Sequence, residues 1–236
     1  MTMRAGLIVA AILLLFLPSA AVFGQSLRSE IGVEANTAPW SGIAMVTNSV
    51  YGRCTGILVN SQTVLTAAHC LYSPRTKQYV RPQSVHVLFG YDRGTYSFHT
   101  VAEHVEIAAG YDPEQPRSTL SSDWAVLTLK ENAPPLHQPF AVAAASRMGQ
   151  AVFAAGFAQE RSEVLTRTPD CVVEGRAEGG VIVSDCGVSH GLSGGPLIDA
   201  ATHAALALQV GTVVKDGQTL TLSIGLDAVT YSPVNR

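Results

Sequence analysis

The apolar positions of this chain fall into one long run and many short ones. The long run, Ala5–Leu17, follows a positive Arg4, is broken by Pro18 and leads into the small residues Ser19, Ala20 and Ala21. Such a run makes about 20 Å of helix, short of the roughly 30 Å hydrocarbon core of a bilayer. Residues 1–24 are therefore predicted to be a cleaved export signal, cut after Ala21 or Gly24, with an uncleaved anchor as the rival reading. No later stretch is long and apolar enough to span a membrane.

Beyond the signal the runs are short and rich in β-branched residues: Gly42–Val46, Cys54–Val59, Thr63–Thr66, Val85–Phe89, Trp124–Leu129, Ala151–Ala155, Val181–Val183, Ala205–Val214 and Leu220–Leu226. Turn signals such as Tyr91-Asp92-Arg93-Gly94 and Lys215-Asp216-Gly217 separate them. Many short strands without intervening amphipathic helices predict an all-β protein. No repeat period is evident. A Pro-rich bridge at 132–139 cannot continue a sheet ladder. The expected organisation is a signal at 1–24, an N-terminal segment at 25–38 (a possible short propeptide), one β subdomain at 39–131, the linker, and a second β subdomain at 140–236.

Composition narrows the functional classes. Of 236 residues, 47% are hydrophobic and 14% charged, enough apolar matter for a packed core. The net charge is −3, and no basic run or arginine stripe appears, so nucleic acid is not an expected partner. Phosphate-loop and dinucleotide fingerprints are absent. The four cysteines, Cys54, Cys70, Cys171 and Cys186, all lie beyond the signal and form two close pairs in sequence. In an oxidising compartment disulfides are the default, with three pairings open. A zinc site is the rival, but no C-x-x-C and no paired-histidine spacing supports it.

Three stretches carry chemistry. In Thr66-Ala-Ala-His69-Cys70 a histidine follows two predicted strands; in Ser122-Asp123-Trp-Ala-Val an acidic residue opens an apolar strand; in His190-Gly191-Leu192-Ser193-Gly194-Gly195-Pro196 glycines flank a serine. A serine hydroxyl needs an adjacent base to act as a nucleophile near neutral pH, and an imidazole can take its proton and return it to a leaving group. Asp123 would hold the imidazole tautomer. The N–H groups of Gly191 and Ser193 would form an oxyanion hole, where one donor is worth about 3–4 kcal/mol.

These stretches, in the order His, Asp, Ser, resemble the trypsin/chymotrypsin-like serine protease family, in a style closest to bacterial glutamyl-endopeptidase-like members. The resemblance runs from about Pro39 to Asp227. It implies two antiparallel β-barrels with the active site in the cleft between them, and catalytic residues His69, Asp123 and Ser193. It also implies peptide-bond hydrolysis through an acyl-enzyme, protein or peptide substrates, and no metal or cofactor. The family pairs the cysteines flanking its histidine loop, matching Cys54–Cys70. The likeness of Asp185-Cys186 to Gly194 to glutamyl-endopeptidase-like members favours Cys171–Cys186. A monomer, secreted or periplasmic, is expected, with no peptide-binding module after the protease.

There are departures. Activated trypsin-like enzymes carry an aspartate just before the serine, paired with a newly cut N-terminus; here Leu192 stands there, so Ile31-Gly32-Val33 is not read as an activation sequence. The family's specificity pocket maps onto Gly187, Val188, His190, Gln209 and Gly211. Gln209 stands where glutamyl endopeptidases place a histidine, so an acidic preference is not supported. A non-catalytic binding protein on the same fold, and an esterase or transferase using the same serine, remain the alternatives.

Overall fold

The computed structural model describes residues 30–50, 52–143 and 146–230. The predicted signal and the start of the N-terminal segment lie outside these. Six strands, β1 (Ile43–Asn48), β2 (Gly52–Asn60), β3 (Thr63–Thr66), β4 (His86–Phe89), β5 (Phe98–Ile107) and β6 (Ala125–Leu129), close into an antiparallel barrel in the order β1-β2-β3-β6-β5-β4. A second set, β7 (Ala151–Gly156), β8 (Cys171–Arg176), β9 (Ile182–Ser184), β10 (Pro196–Asp199), β11 (Ala205–Lys215) and β12 (Gln218–Gly225), pairs as β7-β8-β9-β12-β11-β10. A β7–β10 ladder closes this ring as well. The connection pattern is the same in both halves, a repeat invisible in the residues.

Nine of these twelve strands overlap the predicted apolar runs. The other three differ for physical reasons. In β5 and β8 inward and outward positions alternate, so Glu103, His104 and Glu106, or Glu174 and Arg176, interrupt the apolar signal. The third, β10, has only four residues and opens on a proline.

Apolar packing joins the barrels. One cluster contains Ile57, Leu65, Val87, Phe89 and Leu127 of the first barrel and continues into Phe153, Phe157, Ile198 and Leu208 of the second. A smaller cluster, with Val152, Val173, Ile182, Leu192 and Leu206, fills the second barrel. Each fully buried side chain of this size contributes roughly 1.5–3 kcal/mol, so the docked pair resists opening at the seam. The bridge between barrels is itself pinned. Ala133 N–H donates to Ser61 O, Phe140 N–H to Leu58 O, and the buried His137 ring donates from Nδ1 to Ser41 O at 3.0 Å.

The turn after β10 is held by Asp199, whose carboxylate accepts from Gln150 Nε2, the Ala201 and Thr202 N–H groups, and the Thr202 hydroxyl. These donors, Gln150 first, lower its pKa from 3.8 to about 2. A depressed folded-state value means this stabilisation is complete above the unfolded value and is lost as pH falls from about 4 toward 2. The melting temperature followed between about pH 5 and pH 2 should therefore fall less steeply in Asp199→Asn than in the unaltered protein. Parallel curves would contradict this.

Candidate active site

The first barrel supplies an imidazole and a carboxylate. β3 runs into a single 3-10 turn, Ala68–Leu71, which carries His69. A disulfide from Cys70 to Cys54 on β2 ties that turn to the barrel wall. Asp123 ends another 3-10 turn, Leu120–Ser122, just before β6, and is 2% exposed. Burial of that carboxylate is offset by two bonds to one residue: Oδ1 accepts the His69 backbone N–H at 2.8 Å, and Oδ2 meets His69 Nδ1 at 2.6 Å. A carboxylate only accepts, so Nδ1 carries the ring proton and Nε2 is the basic nitrogen. The imidazole, one-fifth exposed, lines the cleft between the barrels.

The second barrel supplies the serine loop between β9 and β10, braced by the Cys171–Cys186 disulfide. Successive carbonyls of this loop are each held by a donor: His190 O by Gln159 N–H at 2.7 Å, Gly191 O by the Thr55 hydroxyl at 2.9 Å, Leu192 O by Gly195 N–H at 2.8 Å and Ser193 O by Thr55 N–H at 2.8 Å. In a trans peptide the N–H points opposite the C=O. Fixing the His190 and Leu192 carbonyls therefore aims the N–H groups of Gly191 and Ser193 away from those anchors. Among the described residues no backbone carbonyl takes either N–H. Leu192 is fully buried in the second barrel's apolar cluster, so burial rather than charge seats the loop. Gly194 is left-handed at φ +80°, and a Cβ there would lie 2.2 Å from Thr55 O, so no other residue fits without displacing β2.

Two cavities meet at Ser193. The first, about 500 Å³, contains His69, Asp123 and Ser193 together, with Val188, His190, Gln209 and Gly211 of the expected pocket. Gly187 lines neither cavity. Gln209 is 1% exposed, and its Nε2 donates to Ala155 O and Pro196 O, so its amide belongs to the barrel wall. A register shift between Gln209 and Gly211 against β12 turns this stretch of β11 along the cavity. Ser189, Thr212, Glu160 and Arg117 line the same cavity and were not singled out from the sequence. Ser189 lies inside the serine motif, but Arg117 and Glu160 sit on loops from different barrels with no signal of their own. The second cavity, about 600 Å³, holds Gly191 and is edged by an Arg53–Glu163 ion pair across the barrels. Hydrogen bonds from Tyr91, and then Arg53, hold the Glu163 carboxyl below its ordinary pKa.

Among the described residues one group of metal-ligand side chains comes together, Cys54, His69 and Cys70. Its two sulfurs are bonded to each other, so neither is available as a thiolate ligand.

A solved structure of a Glu endopeptidase in complex with MPD superimposes with a TM-score of 0.72 at 17% identity, covering 85% of this chain and 93% of that one. No curated protein matches the sequence. The family model of the trypsin-like peptidase domain matches residues 54–208, a span that begins at Cys54, takes in His69, Asp123 and Ser193, and ends one residue before Gln209 of the cavity wall. The chain belongs to the trypsin-like peptidase domain family and is a serine-type endopeptidase.

Proposed function

We propose that this is an exported endopeptidase that cleaves peptide bonds with Ser193 as nucleophile, His69 as base and Asp123 as its orienter. The observation that carries the reading is the two-point grip of Asp123 on His69 in the cleft that also contains Ser193. His69 Nε2 takes the Ser193 proton as Oγ attacks the scissile carbonyl. The N–H groups of Gly191 and Ser193 receive the oxyanion, and the same Nε2 proton goes to the departing amine. Water then repeats the sequence on the acyl-enzyme, which restores Ser193 and releases the second product as an acid. Export is supported by the Arg4–Ala21 pattern, and both disulfides fit an oxidising compartment.

A fluorophosphonate probe tests the assembled site. The oxidised protein is expected to take up one probe per chain, mapped by mass spectrometry to the peptide containing Ser193. A folded protein that stays unlabelled, or is labelled elsewhere, would overturn the reading in favour of a binding protein on the same fold.

A further inference from the structure

Thr55 lies on β2 of the first barrel, fully buried, and every one of its polar atoms is engaged. Its N–H donates to Ser193 O at 2.8 Å and its carbonyl accepts from the Thr66 hydroxyl at 2.8 Å. Its own hydroxyl accepts the Phe157 N–H at 3.1 Å and donates to Gly191 O at 2.9 Å. The Phe157 bond fixes the direction of that hydroxyl, because a rotor that must accept from one side has its proton left for the other. Among the donors that hold the carbonyls of His190, Gly191, Leu192 and Ser193, the two from Thr55 are those that come from the opposite barrel.

The Gly191–Leu192 peptide lies between the two N–H groups that would receive the oxyanion. Gly191 is left-handed at φ +94°, in the region a glycine leaves as readily as it enters, and Leu192 brings no charge to hold it. We propose that Thr55 is a positioning residue for the oxyanion site. Its hydroxyl locks the central peptide of the loop, so that the Gly191 and Ser193 N–H groups stay aimed at one point, and it does so only when the two barrels are docked. The proposal rests on Ser193 being the nucleophile.

An oxyanion exists in the transition state and not in the bound substrate, so loss of the lock should lower kcat and leave KM nearly unchanged. In the full-length protein, Thr55→Val removes the hydroxyl at nearly constant shape and keeps the N–H bond to Ser193. We expect kcat on a peptide substrate to fall about 10- to 100-fold with KM within about twofold, and Thr55→Ser to restore most of it. The inhibition constant of a peptide aldehyde, which places an oxygen in the oxyanion site on adding to the serine, should rise by the same factor as kcat falls. That of a non-covalent product peptide should stay unchanged. If Thr55→Val does not fold, Thr55→Ala compared with Thr55→Ser gives the same readout. Unchanged kcat in the folded variant, equal losses in Val and Ser, a rise in KM alone, or failure of both Val and Ala to fold would each overturn the proposal. Inactive unaltered protein, or an active Ser193→Ala, would instead remove the catalytic reading beneath it.

Discussion

Ser193→Ala should lower kcat by about 10⁵- to 10⁶-fold while leaving the fold and peptide binding in place. Alanine keeps the Ser193 N–H and carbonyl, so the bond from Thr55 and the oxyanion donors survive and only the nucleophile is lost. The residual rate should exceed that of water alone by roughly 10³- to 10⁴-fold, because the oxyanion site and substrate binding remain. Adding His69→Ala to this variant should cost almost nothing further, since a base without a nucleophile has no proton to take. Additive losses in the double variant would show that the two residues do not act on the same step. Turnover above a few per cent in Ser193→Ala alone would remove Ser193 from the reaction. The assay needs protein made without contaminating protease, checked by the same fluorophosphonate probe.

The second large effect is expected of Asp123→Asn, a change of one atom. Asp123 accepts on both oxygens, from the backbone and from the ring of the same histidine. An asparagine has one acceptor and one donor, so either orientation sets donor against donor. If the amide nitrogen faces the ring, Nδ1 must give up its proton and Nε2 must hold one, which is the tautomer that cannot accept from Ser193. If it faces the backbone, the His69 N–H loses its partner and the turn Ala68–Leu71 loses a constraint. The first alternative is the cheaper, and a loss of about 10⁴-fold in kcat follows. Melting and disulfide content should change little by comparison. A loss below about tenfold would mean another group orients the ring.

Much of this was legible in the residues, unevenly. The chemistry lies in short contiguous strings whose order and neighbours identify them, and the apolar runs marked the strands with both faces covered. What did not show was anything that depends on two distant segments meeting. Thr55 reads as an ordinary strand threonine beside Cys54, yet its partners are Gly191 and Ser193. Leu192 looked like a missing ion pair; in the folded chain it is an apolar peg in the second barrel. The specificity pocket was read from alignment to the serine; Val188 and Gly211 line the cavity beside Ser193, and Gly187 does not. Gly187 is left-handed at φ +65° in the loop after β9, where the chain turns and a linear register does not follow it. Arg117 and Glu160 come from loops, where neither periodicity nor turn chemistry marks a side chain's destination.

Because the imidazole and carboxylate belong to one closed barrel and the serine to the other, the order of synthesis has a consequence for the cell that makes the protein. A ribosome that has released residues 39–131 has released the proposed base and its orienter, His69 and Asp123, and Ser193 emerges some sixty residues later in a half that must still close and dock. On the proposed triad, silence during manufacture follows from the way the chain is divided, because its three members come together only when the two halves meet.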